Sequence, residues 1–296
     1  NDFDNGGSIA ITGGRANAGY GGDLNYKSGF GAASSSGKIT LFTANAGKAG
    51  VSGYYHVETG TTSEGDSGFI KLATGNSLTG KGGYISLTVG AGDSAAGGDV
   101  DIIAGETTAQ EAIGGDITIS AGLGSNDNSN NGGDGGRIFI SGGEAQGESK
   151  AKDFGGDITI VGGQSRSSYG GNLSIASGYG HATSSGQIVL ATKNAGKSGV
   201  SGKLEVMTGT TSKGDSGHII VASGDATEGK GGFINLRVGA GDSGRGGSMN
   251  LSAGATTDEA SGGTLSMATG YSQQSSSGNF HIRTMNAGEE GVSGSV

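Results

Sequence analysis

Gly114-Gly115-Asp116-Ile117-Thr118-Ile119-Ser120-Ala121-Gly122 is the stretch from which the fold is read. Apolar Ile117 and Ile119 alternate with polar Asp116, Thr118 and Ser120, the period-two mark of a half-buried strand. Glycine brackets the run on both sides, where a reversing chain needs φ > 0 or close backbone approach.

The same unit runs the length of the chain. Its first apolar position falls at Ile9, Leu24, Ile39, Tyr55, Ile70, Ile85, Val100, Ile117 and Ile138, then at Ile158, Leu173, Ile188, Leu204, Ile219, Ile234, Met249, Leu265 and Phe280. Steps of 15 or 16 residues separate nearly all of these eighteen units, the exceptions being 17, 21 and 20 around Ile117, Ile138 and Ile158. There the loops holding Ser125–Asn131 and Glu144–Lys152 are extended. A larger repeat is superimposed. Asn45-Ala46-Gly47-Lys48 returns as Asn194-Ala195-Gly196-Lys197, and Val89-Gly90-Ala91-Gly92-Asp93-Ser94 as Val238-Gly239-Ala240-Gly241-Asp242-Ser243. Blocks of six units were duplicated, with three more inserted between them. Residues 1–296 therefore read as one continuous array, and its mid-unit ends as a segment of a longer protein.

Composition narrows the architecture. Of 296 residues 68 are Gly, none is Pro, Cys or Trp, and only 32% are hydrophobic. A globular domain carries about 45–50% apolar residues and about 7% Gly, so one thick core is excluded. Flexible Gly/Ser linkers share the composition but lack the alternating Ile, Leu and Val. A net charge of −9 with scattered Lys and Arg argues against nucleic acid as a partner. No apolar run approaches the roughly 20 residues of a membrane helix, so membrane insertion is not expected. Absence of Cys excludes thiolate zinc and disulfide frameworks without choosing a compartment.

The expected fold is all-β: a parallel β-solenoid, of β-roll or β-helix type, in which each rung pairs with the next. A seven-residue strand covers roughly 23 Å and the other eight residues suffice to return, so one unit fits one coil. Three units per coil, a triangular prism, remains the alternative. Such arrays gain stability from nearest-neighbour stacking. Their open ends would template further pairing.

Two resemblances accompany this pattern. The block carrying SSG, NAGxxGVSG, TGTTSxGDSG, GKGG, VGAGDSxxGG and AGxTT resembles Gly-rich β-solenoid repeat proteins of marine microalgae such as diatoms, and covers most of the chain. The pairing of one strong and one small strand is similar, in pattern only, to the β-roll heads of trimeric autotransporter adhesins. The first resemblance implies a secreted or cell-surface protein and brings no activity with it.

The chemistry-bearing residues are sparse. His56, His218 and His281 occupy outward positions in units far apart, and no serine has a recurrent base beside it. Asp66, Asp93, Asp215 and Asp242 precede the paired glycines, while Asp99 and Asp116 follow them in adjacent units. On neighbouring rungs such carboxylates repel unless a cation bridges them, so Ca²⁺ is the one candidate cofactor, against solvated turn residues. Tyr54, Phe69 and Tyr84 share one outward register, echoed by Lys203, His218 and Phe233, and could stack as a sugar-contacting or purely structural ladder. Asn172-Leu173-Ser174 and Asn250-Leu251-Ser252 are glycosylation sequons.

These readings point to a structural building block of an extracellular fibre, wall or adhesive, acting through self-association of a rigid rod and without enzymatic activity. The alternative is a surface module that binds polysaccharide or ice. The outward positions lack the regular threonine array that ice binding needs.

Overall fold

The computed structural model describes residues 6–94, 96–149 and 151–296. It bears out the period of the chain and overturns the way the periods were expected to join. The described residues bend once per unit, at 17–19, 32–34, 48–50 and onward to 289–290, eighteen times in all. Between bends no turn is formed. Among the described residues there is nevertheless no helix and no β-strand, so the chain is not a β-solenoid, neither β-roll nor β-helix.

The hydrogen bonds explain the correction. Coils of one unit would place residues about 15 apart side by side, with a bond at every second residue. Instead, each loop closes on itself at a neck, where the residue ending one segment meets the glycine opening the next. Gly22 N–H donates to the Gly14 carbonyl at 2.8 Å, Gly37 to Gly29 at 2.9 Å, and Gly171 to Gly163 at 2.8 Å. Nine of the necks carry one such backbone bond, and no ladder follows it. The closed loops have the character of short Ω-loops, whose ends are near and whose own atoms fill them.

Neck glycines are needed for close approach. A Cβ on Gly13 would overlap the Gly22 carbonyl, and one on Gly162 or Gly142 would overlap that of Gly171 or Gly156. Positive φ is needed elsewhere: Gly65 at 96° and Gly214 at 106° turn the two TGTTSxGDSG loops. In those loops Thr62 Oγ1 donates to the Glu64 carbonyl at 2.8 Å and Thr211 Oγ1 to that of Lys213 at 3.0 Å. The two long loops hold themselves differently. Asn126 Oδ1 accepts from Asn128 N–H at 3.0 Å, and Asp153 Oδ2 from Ser149 N–H at 2.7 Å.

Two units can be distinguished, Asn1–Asp157 and Ile158–Val296. Gly14–Gly22 in the first corresponds to Gly163–Gly171 in the second and Gly29–Gly37 to Gly178–Gly186, each 149 residues on, whereas Ala121 and Gly142 close the last two loops of the first and Thr269 and Thr284 those of the second.

Neither unit has a core: none of the described residues is buried. The accessible surface is 30728 Å², whereas a globular chain of this mass would expose about 11,000 Å² and an unfolded one about 41,000 Å². Alternation still shows in the exposures. Ile70 is 55% exposed and its neighbour Phe69 85%; Ile138 is 53% and Ile140 67% exposed, with Phe139 between them at 87%. The best-covered residues lie at the loop necks and just inside them, Ser28, Gly31, Ala104, Gly124, Gly180 and Thr208 among them.

Candidate functional site

Two repeated features define the surface: the neck and the apolar row between necks. The neck residue stands four places after the first apolar position, and its identity selects how the loop is clasped. Where it is Gly, Ala or Ser, the opposing glycine N–H usually reaches a carbonyl, as from Gly115 to Gly105 at 2.9 Å beside Ala104, and from Gly186 to Gly178 at 3.0 Å beside Ser177. Where it is Thr or Val, the branched side chain fills the space instead. A Cβ on Gly53 would stand 3.3 Å from the Thr43 Cβ, and one on Gly247 2.6 Å from the Val238 Cγ1. Hydroxyls then supply the polar contact: Thr43 Oγ1 donates to the Gly53 carbonyl at 3.1 Å and Thr59 Oγ1 to that of Gly68 at 3.4 Å. Sequence reasoning missed this clasp, though its signal is legible: the fixed glycine two residues before every first apolar position.

The candidate carboxylates lie apart in the chain and are all exposed. Asp66 and Asp215 follow the positive-φ glycines, Asp93 and Asp242 sit in bends, and Asp99 and Asp116 stand directly after neck glycines. Adjacent rungs do not exist to align Asp99 with Asp116. Among the described residues no three histidine, aspartate or glutamate side chains gather as a metal site would require. His56 Nε2 lies 3.1 Å from Glu58 Oε2, both side chains solvated. His181 meets Tyr179 edge to face with ring centres 6.3 Å apart. His281 and Arg283 flank Ile282 in an open groove of about 460 Å³.

Tyr54, Phe69, Tyr84 and Phe233 are 85–88% exposed. Among the described residues none of them pairs with another ring, because the rungs that would have stacked Tyr54 on Phe69 and Tyr84 are not formed. What remains is a set of separate, solvent-facing rings and a longer set of apolar rows, such as Ile85 with Leu87 and Ile188 with Leu190, each more than half exposed.

No helix of the described residues is long and apolar enough to cross a membrane. No protein-family model, no curated protein and no solved structure matches the chain.

Proposed function

We propose that the protein is a structural building block of an extracellular fibre, wall or adhesive, and that it acts by association between copies rather than by catalysis. The observation that carries this reading is the unburied apolar row in each repeat. Soluble monomers rarely leave contiguous apolar surface open on this scale, and its usual meaning is a surface awaiting a partner. A second copy offers the same rows at the same spacing, so one contact in register brings the others into register.

Magnitudes make the association cooperative. Fully burying an Ile or Leu side chain is worth about 1.5–3 kcal/mol; covering the exposed half of a two-residue row recovers roughly 2 kcal/mol on that scale. Association costs about 4–15 kcal/mol of lost freedom. One row therefore cannot hold two copies together, whereas several rows engaged at once can.

Sedimentation velocity of the full chain over a hundredfold concentration range tests this. A shift to large species, accompanied by loss of apolar dye binding, is expected. Replacing Ile85, Leu87, Ile188 and Leu190 with Ser should displace the onset at least tenfold in concentration. A chain that stays monomeric throughout, with its dye binding unchanged, would falsify the assembly reading.

The exposed rings of Tyr54, Phe69, Tyr84 and Phe233 favour a second reading, polysaccharide binding, since an open aromatic face stacks on a sugar ring. Retention on insoluble polysaccharide that falls on replacing these four by Ala supports it; equal retention of both chains removes it.

A further inference from the structure

Asn172-Leu173-Ser174 and Asn250-Leu251-Ser252 occupy segments whose accessibility the structure changes. In a strand of a stacked solenoid their backbone would be locked in a ladder on both sides. Here both triplets lie between bends and outside any strand, and Asn172, Ser174, Asn250 and Ser252 are all exposed. Asn172 directly follows the neck glycine Gly171, whose N–H donates to the Gly163 carbonyl at 2.8 Å. The hydrophobic residues within the triplets are themselves solvent-facing, Leu173 at 57% and Leu251 at 59%.

From this placement we infer that Asn172 and Asn250 are acceptors of N-linked oligosaccharide. The donor class is a polyprenyl-diphosphate-linked oligosaccharide. The side-chain amide nitrogen of the asparagine bonds to the anomeric carbon of the first sugar, and the bond from that carbon to the diphosphate oxygen breaks. The amide gives up one proton to a base of the transferase, and polyprenyl diphosphate leaves. The serine hydroxyl two residues on completes the recognised triplet.

The first unit contains its own control. At the corresponding register, 149 residues earlier, stand Asp23-Leu24-Asn25 and Asp101-Ile102-Ile103. A carboxylate has no amide nitrogen to give, so modification is confined to the second unit. There it adds a bulky hydrophilic group on segments whose apolar row faces solvent.

The assignment rests on the extracellular part of the proposed function, and its test is separable from the assembly reading. The full chain, behind a cleavable signal peptide, is translated into microsomes that supply the lipid-linked donor. Two glycan increments are expected, both removed by a glycan-releasing amidase. Ser174→Ala and Ser252→Ala should each abolish one, and Asp101→Asn combined with Ile103→Ser should add a third. A chain that reaches the lumen unmodified overturns the assignment, and modification at one asparagine alone overturns it for the other. A glycosylated chain that never associates contradicts assembly and leaves this inference standing; an associating chain without glycan does the reverse.

Discussion

Residues 43–98 and residues 105–156 of the first unit solve the same problem with different atoms. In the former, the loops Thr43–Gly53, Thr59–Gly68, Thr74–Gly83 and Val89–Gly98 are shut by a branched side chain resting on a glycine. In the latter, Gly115, Gly136 and Gly156 each donate a backbone N–H at 2.9 Å across the neck. The loops of the second stretch are also longer, and in all three a side chain accepts from a backbone N–H of the same loop: Thr107 in the first, Asn126 and Asn128 in the second, Asp153 in the third. The difference teaches that a neck needs one good contact and that residue volume decides which. With no Cβ or a small one, two backbones come within hydrogen-bonding distance; a branched residue holds them apart and substitutes dispersion and a hydroxyl. Thr269 keeps a backbone bond in its loop, Gly278 to Gly270 at 3.0 Å, so branching biases the choice without dictating it.

The largest expected effect breaks a backbone-clasped neck by volume. Gly142→Val would drive a branched side chain into the Gly156 carbonyl, and overpacking of that kind costs about 1–3 kcal/mol. Amide exchange at Gly156 should accelerate roughly tenfold or more, since about 1.4 kcal/mol corresponds to a factor of ten. Gly75→Ala in the other stretch meets open space and should leave the exchange of Gly83 unchanged. Equal effects at the two positions would show that neck geometry does not control closure.

An intermediate effect sharpens the rule about neck identity. Thr43→Val retains the branch and loses the 3.1 Å hydroxyl bond to the Gly53 carbonyl, a loss of about 1 kcal/mol or less at an exposed site. Thr43→Gly should instead convert the neck, letting Gly53 N–H reach the Ala44 carbonyl and slowing its exchange several-fold. If Gly53 exchanges alike in both variants, the neck residue does not select the clasp.

The smallest effect concerns strain. Glu111 is the one non-glycine residue with positive φ among those described, at 60°. That conformation costs an L-residue about 1–2 kcal/mol, partly offset by the greater entropy glycine loses on ordering. Glu111→Gly should therefore tighten the loop between Gly105 and Gly115 by about 0.5–1 kcal/mol, read as slower exchange at Gly115. Faster exchange would mean that the glutamate side chain contributes more than its backbone costs.

Much of this molecule was legible in the sequence. Eighteen bends fall where the eighteen loops were read, and Ile117 and Ile119 lie between two bends on a segment bracketed by glycine. The stacking of those segments was not legible, and the expectation of a β-solenoid failed there. A ladder is a property of two segments in register, and alternation within one segment is equally compatible with a partner and with none. The candidate carboxylates and the aromatic column inherited that error, since Asp99 with Asp116 and Tyr54 with Phe69 were expected to meet only as neighbours on adjacent rungs.

The residues alone settle what is local: the 15- to 16-residue period, the glycine at each neck, the alternating apolar row and the absence of enough apolar mass for a core. These depend on backbone sterics and composition, which act within a few residues. Contacts across space settle the rest: each loop closes on its own neck, Thr43 and Ala104 clasp by different atoms, and Ile85 and Leu87 stay open to solvent. Those outcomes turn on which atoms come within about 3 Å of one another across the neck, a distance set by side-chain volume on both sides at once.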